Sequence, residues 1–196
     1  MNQQQAPSTI DHVRLGLTVF AFLCRALALS VEVFLHRVDS FGERYIGLQS
    51  ALTCLLILFF PALCNRATDP TPMFAYLVCY LFMTLCIRAR IQIRKRSGKP
   101  QPHSYYTGRP LLMGIFRRTS EETVKTLIEP LAVFLAGAFV IELSPILGGY
   151  LMCASAGLVV TTKLMVDEER ERAIRMNDAY IDQRAAAERF RSMRGD

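Results

Sequence analysis

Long uncharged runs organise this sequence more than alternating or amphipathic patterns do. Residues 45–65, between Arg44 and Arg66, carry no formal charge, and their centre at 52–60 is mostly Leu, Ile and Phe. As a helix this run reaches roughly 31 Å at ~1.5 Å per residue, enough to cross ~30 Å of hydrocarbon. Pro61 falls near its end, where a lost backbone donor costs less. Residues 70–87 are uncharged again, and the short link at 64–72 carries Pro70 and Pro72. Together they predict a transmembrane helical hairpin over 45–88.

A second hairpin is predicted over 121–166. Thr119 reads as a helix cap, with Glu122 returning the bond to its backbone. The helix then runs through 127–141. Ser144-Pro145 is another start signal, a cap residue followed by Pro at the first helical position. Residues 143–162 are then uncharged, a full span. The turn at 142–144 allows only a tight connection. The first arm is short, so 123–126 or a local adjustment must lengthen it, which puts Glu129 and Glu142 near opposite interfaces. Gly149, Cys153, Gly157 and Thr161 recur every four residues and predict close helix packing, with Ala132 and Ala136 as the matching face.

After a polar tail at 1–12, residues 13–37 form an apolar helix carrying Arg14, Arg25, Glu32 and His36. At ~100° per residue these four fall within about 40° of one another, and Thr18 joins them. Such a stripe suits a helix lying at the membrane surface or partly embedded in it, with the stripe in water, the reading slightly favoured by sequence. It also suits a fifth span whose Arg25 and Glu32 face protein. A signal peptide ending at Ala26-Leu27-Ala28 is a third reading, weakened by Asp11, by Arg25 and by the apolar run that continues to Leu35.

Charge then sets orientation. Lys and Arg number 23 against 17 Asp and Glu, for a net +6. Nine of the basic residues fall between 88 and 120, where there is no acid: Arg88, Arg90, Arg94, Lys95, Arg96, Lys99, Arg109, Arg117 and Arg118. The positive-inside rule places this loop, 89–120, in the cytoplasm, and the C-terminus with it, in a cytoplasmic (inner or plasma) membrane. Only two short turns remain outside, which disfavours a receptor for external ligands. The basic residues suit anionic lipid headgroups or a protein partner. Tyr105, Tyr106 and Phe116 lie among them as stacking platforms would, but no nucleic-acid motif accompanies them. Residues 103–110 (HSYYTGRP) read as an ordered turn packed on the helices or as a docking loop, with Gly108 and Pro110 marking a bend.

The tail, 167–196, has nearly balanced charge and good helix formers. One helix is expected from Pro145 to about Met193, roughly 70 Å at ~1.5 Å per residue. Ala173, Met176, Tyr180, Gln183, Ala187 and Phe190 follow a 3-4 spacing, an apolar seam interrupted by Gln183 and widened by Ile174 and Ile181. It suits a protein partner or a second copy of the chain.

Composition supports this class. Hydrophobic residues make up 52% and charged residues 20%, against about 25% charged in soluble domains, and the mean hydropathy is +0.24. Six cysteines, in or beside apolar segments without C-x-x-C spacing, read as small hydrophobes. Cys86 alone is placed for acylation at a cytoplasmic interface. His103 has no companion at metal-ligand spacing. No nucleotide, hydrolase or zinc motif is present, so no cofactor or metal is expected and catalysis is disfavoured.

The fold expected is therefore an all-α integral membrane protein: two transmembrane hairpins, about four spans, an N-terminal amphipathic or fifth spanning helix, and a long C-terminal cytoplasmic helix. The function expected is a non-catalytic subunit or scaffold of a multi-protein envelope assembly of secretion or conjugation type. It would dock partners through the basic loop and the tail. The alternatives are a small homo-oligomeric channel or ion-coupled carrier using Arg25 and Glu32, and a lipid-directed enzyme using His103 and Glu129.

Overall fold

A computed structural model describes residues 9–42, 47–64, 69–98, 106–116 and 118–195, with side chains from residue 12 onward. Outside it lie Lys99, His103, Tyr105 and Arg117, both ends of the 45–65 run and the first eight residues of the polar tail. The described chain is helical, without strands: α1 (Thr9–Leu35), α2 (Leu48–Leu63), α3 (Thr71–Arg96), α4 (Glu121–Val140) and α5 (Pro145–Arg194). A single 3-10 turn, Leu112–Gly114, precedes α4. Four helices are long and apolar enough to cross a membrane: His12–Leu35, Thr71–Arg96, Glu121–Val140 and Pro145–Arg194. α2 has 16 residues, about 24 Å at ~1.5 Å per residue. The chain forms two compact units, residues 1–161 and 162–196.

In the first unit the second half of α1 is the centre of the core. Ala26, Ala28, Leu29, Val31, Glu32 and Val33 are all buried, so this half is enclosed on every side. A helix lying in an interface keeps one face in water along its length, whereas residues 24–36 of this segment present no exposed face. Cleavage after Ala28 would cut through this buried stretch. Small side chains let neighbours approach: a Cβ at Gly157 would lie 2.8 Å from the Cys24 carbonyl oxygen and 3.0 Å from Leu27 Cβ. The Thr53 hydroxyl points at the carbonyls of Ala26 (2.8 Å) and Gln49 (2.9 Å), and the Tyr76 hydroxyl donates to that of Ser30 (2.8 Å). These bonds tie α2 and α3 to α1. Tyr150 of α5 completes the core, edge-on to Phe60 (5.1 Å between ring centroids) and near Tyr76 (5.8 Å). By contrast Leu15, Leu17, Val19 and Phe20 in the first half of α1 are exposed, as are Val78, Phe82, Leu85, Leu131 and Phe139. Apolar surface on this scale suits a lipid environment.

Two local expectations are corrected. The cap of α4 is Ser120, not Thr119: its backbone is extended and its Oγ accepts from the Thr123 N–H at 3.2 Å. The third residue of the helix is then Thr123, so Glu122 is out of register for a capping box. The hairpin α4–α5 also closes elsewhere than the four-residue repeat suggests. A Cβ at Gly148 would fall 2.6 Å from Ile141 Cα and N and 2.8 Å from the Gly137 oxygen. Gly149 has open space around it, Cys153 and Ala136 are exposed, and Gly157 packs on α1 instead. The reason is rotation: four residues advance a helix ~400°, so each step of four drifts ~40° and the repeat leaves the contact face.

Candidate functional site

The site grows from the end of α1. Beyond Leu35 the chain turns, with the Ser40 N–H donating to the Arg37 oxygen (3.0 Å). Residues 106–111 then run back alongside it. The Gly42 N–H donates to the Tyr106 oxygen (2.9 Å), that of Arg37 to the Arg109 oxygen (3.0 Å) and that of Leu111 to the Leu35 oxygen (2.9 Å), while the Arg109 N–H donates to Ser40 Oγ (2.7 Å). The Leu35 carbonyl is one of the acceptors that a helix end leaves unsatisfied, so this pairing caps α1. Gly108 makes the bend with φ +98°, and a Cβ there would lie 3.1 Å from Ser40 Oγ and 3.2 Å from His36 Cβ.

This return brings His36 and Glu129, 93 residues apart, into a buried pair. His36 Nδ1 lies 2.8 Å from the Thr107 carbonyl oxygen, and Nε2 lies 3.0 Å from Glu129 Oε2. Glu32, His36 and Glu129 are 3%, 2% and 0% exposed. A carbonyl only accepts, so Nδ1 carries a hydrogen. When the ring is protonated, Nε2 donates to Glu129 Oε2. Burial alone would push the imidazole down. The Glu129 hydrogen bond and charge, the Glu32 charge and the Thr107 carbonyl outweigh it and hold His36 above its ordinary value. Glu129 Oε1 is buried without a hydrogen-bond partner.

Glu129 owes its position to an irregularity in α4. Residues Val124–Ile128 form a π turn, closed by the Glu129 N–H on the Val124 oxygen. Pro130 follows, and its ring cannot donate and crowds the carbonyl four residues back, a setting in which the wider turn relieves the clash. The same stretch holds a second polar group. Lys125 Nζ lies 2.7 Å from Glu121 Oε1 and 3.0 Å from Thr107 Oγ1, and sits 4.7 Å above the centre of the Tyr106 ring. The Tyr106 hydroxyl donates to Glu121 Oε1 at 2.6 Å. Burial, the Glu121 hydrogen bond and the Glu121 charge push that phenol well above its ordinary value.

Chemically, the arrangement fastens the end of α1 to residues 106–111 and the start of α4. Both imidazole nitrogens of His36 are engaged by the protein, so no ring lone pair is presented to a substrate or a metal without breaking a bond already made. Of the predicted polar stripe, Arg14 is exposed, Arg25 is half-buried, and Glu32 and His36 are buried, with the Glu32 charge acting on His36. Arg88, Arg90, Lys95, Arg96, Arg109 and Arg118 are exposed and Arg94 is half-buried. Arg88 reaches Ser50 Oγ at 3.5 Å; Arg109 joins the site through its backbone N–H and carbonyl, and its charge acts on Tyr106 and Glu121. In the second unit, Ala173, Met176, Tyr180, Ala187 and Phe190 are exposed. Sequence reasoning missed Thr107, Glu121, Lys125 and the pairing of His36 with Glu129. One signal was available: ionisable groups at the margins of apolar runs need a partner. No protein family, no curated protein and no solved structure matches this chain.

Proposed function

We propose that the chain is a non-catalytic integral membrane subunit of a multi-protein envelope assembly, docking partners on its cytoplasmic side. The carrying observation is the second unit. Its helix presents Met176, Tyr180 and Phe190 at 3-4 spacing, each between 63% and 71% exposed. Large apolar side chains in a row along a charged helix are what a partner helix covers.

In this reading five helices cross the membrane. The end of α1, residues 106–111 and the start of α4 are bonded together, so they share one side. The basic residues from Arg88 to Arg118 flank that cluster, and the positive-inside rule makes it cytoplasmic. α2 then runs outward, α3 returns, α4 runs outward, and α5 returns to deliver residues 162–196 to the cytoplasm. The exposed basic residues meet anionic headgroups there, each contributing about 1 kcal/mol.

Deleting residues 170–196 tests the docking role. The shortened chain is expected to remain in the membrane and to lose its partners in a mild-detergent pull-down read by mass spectrometry. Recovery of the same complex from the deleted form would reject it.

A further inference from the structure

We propose that the seam of residues 172–194 receives a helix of another protein whose own apolar stripe is flanked by Asp and Glu. This deepens the docking reading above and rests on it. Because this stretch is helical without a break, the angular position of each residue follows from ~100° per residue. Within about 90° of the seam's centre stand Arg172, Arg184, Arg191 and Arg194, and no acid. The opposite half carries Asp178, Asp182 and Glu188 beside Arg175 and Arg189. Glu169 lies on the seam's line one turn before it begins. The helix as a whole is nearly balanced in charge, but Arg184 and Arg191 line one edge of its apolar stripe, Arg172 opens the other edge, Arg194 follows on its line, and its back carries the acids.

Two of those arginines hold pairs within the helix, Arg172 with Glu168 at 3.4 Å and Arg184 with Glu188 at 3.2 Å. Both pairs are well exposed and therefore weak. They leave the guanidinium groups available to a neighbour. A second copy of this helix, laid parallel, would set Arg184 and Arg191 against Ala179 and Ala186, which offer those arginines no carboxylate. An anionic bilayer matches the charge but not the stripe. Gln183 sits in the middle of the seam, and Ala occupies two of its other positions, so little is gained by insertion. In a helix pair one polar residue at such a position sets register instead. Charge complementarity and a narrow stripe together select an acidic-margined helix.

The test uses the full chain in nanodiscs and hydrogen exchange over 172–194. Two designed helical peptides serve as probes, identical in their apolar stripe, one with Glu and one with Lys at every flanking position. The Glu peptide is expected to protect this stretch and to bind at least about tenfold more tightly, an advantage that fades with salt. Reversing Arg172, Arg184, Arg191 and Arg194 to Glu is expected to transfer the preference to the Lys peptide. Equal binding of both peptides, or protection by neither, overturns the proposal. So does protection without peptide that grows with protein concentration, which identifies a second copy. Protection without peptide in phosphatidylserine but not phosphatidylcholine nanodiscs identifies the membrane and overturns it too. If the charge-reversed chain keeps its natural partners while the 170–196 deletion loses them, the acidic margin is wrong and the docking reading stands.

Discussion

His36 donates through Nδ1 to a carbonyl, so the Nε2 proton, facing Glu129, is the one its titration removes. Two substitutions separate charge from hydrogen bonding at that point. In Glu129→Gln the amide N–H donates to a neutral Nε2, and the bond survives without charge. In Glu129→Ala His36 loses its partner in a buried site, a loss of about 3–5 kcal/mol for a broken buried pair. The alanine variant is therefore expected to unfold well before the glutamine variant in a detergent-based denaturation series. pH distinguishes them from wild type. The imidazole is held above its ordinary value near 6.5, so the pair's contribution is whole below that value. It is lost as pH rises through the raised folded value. Wild-type stability should then be whole below about pH 6.5 and fall as pH rises above it, and this fall should be absent in Glu129→Gln. A flat wild-type profile would show that the Nε2 proton does not hold the site together.

At the scale of elements, the boundaries written in composition were legible and those written in rotation were not. Runs without charge marked the helices, and Ser144-Pro145 marked the start of α5, where the Leu147 N–H reaches Ser144 Oγ at 3.4 Å. The four-residue glycine repeat misled because it is a feature of spacing, whereas contact is a feature of angle. Alanine substitution makes the difference measurable. Gly148→Ala drives a methyl into the backbone of Ile141 and against the Gly137 oxygen, neither of which is the end of a flexible side chain. It should open the α4–α5 turn and cost more than ~1 kcal/mol. Gly149→Ala meets open space and gains helix propensity, so its effect should lie between zero and a stabilisation of ~1 kcal/mol. Equal unfolding midpoints for the two variants would mean that the helices do not approach at Gly148. The π turn of α4 was hidden for a related reason: Pro130 announces a disturbance, but whether the helix kinks or widens depends on what packs around it.

For the whole molecule, the sequence showed which segments are apolar but not which enclose which. Arg14, Arg25, Glu32 and His36 share one stripe whether the first helix lies on a membrane or crosses it, so periodicity alone could not decide. What the structure adds is partners from distant segments: Thr53, Tyr76 and Gly157 close around the second half of α1, and Thr107 and Glu129 receive His36. A helix walled in by three others at one end, with apolar residues exposed along its other half, suits a bundle that crosses lipid. The end at His36 belongs with residues 106–111 and the start of α4, beside the arginines that the positive-inside rule assigns to the cytoplasm. In the proposed five-span reading the start of α1 lies on the far side. Epitope tags at the N-terminus, at 65–68, at 99–105 and at 142–143 test this in sealed inside-out and right-side-out vesicles treated with protease. The N-terminal tag should share its protection with those at 65–68 and 142–143, and the 99–105 tag should behave oppositely. If the N-terminal tag follows the 99–105 tag, α1 does not cross, and its buried half must be enclosed by protein at the cytoplasmic face.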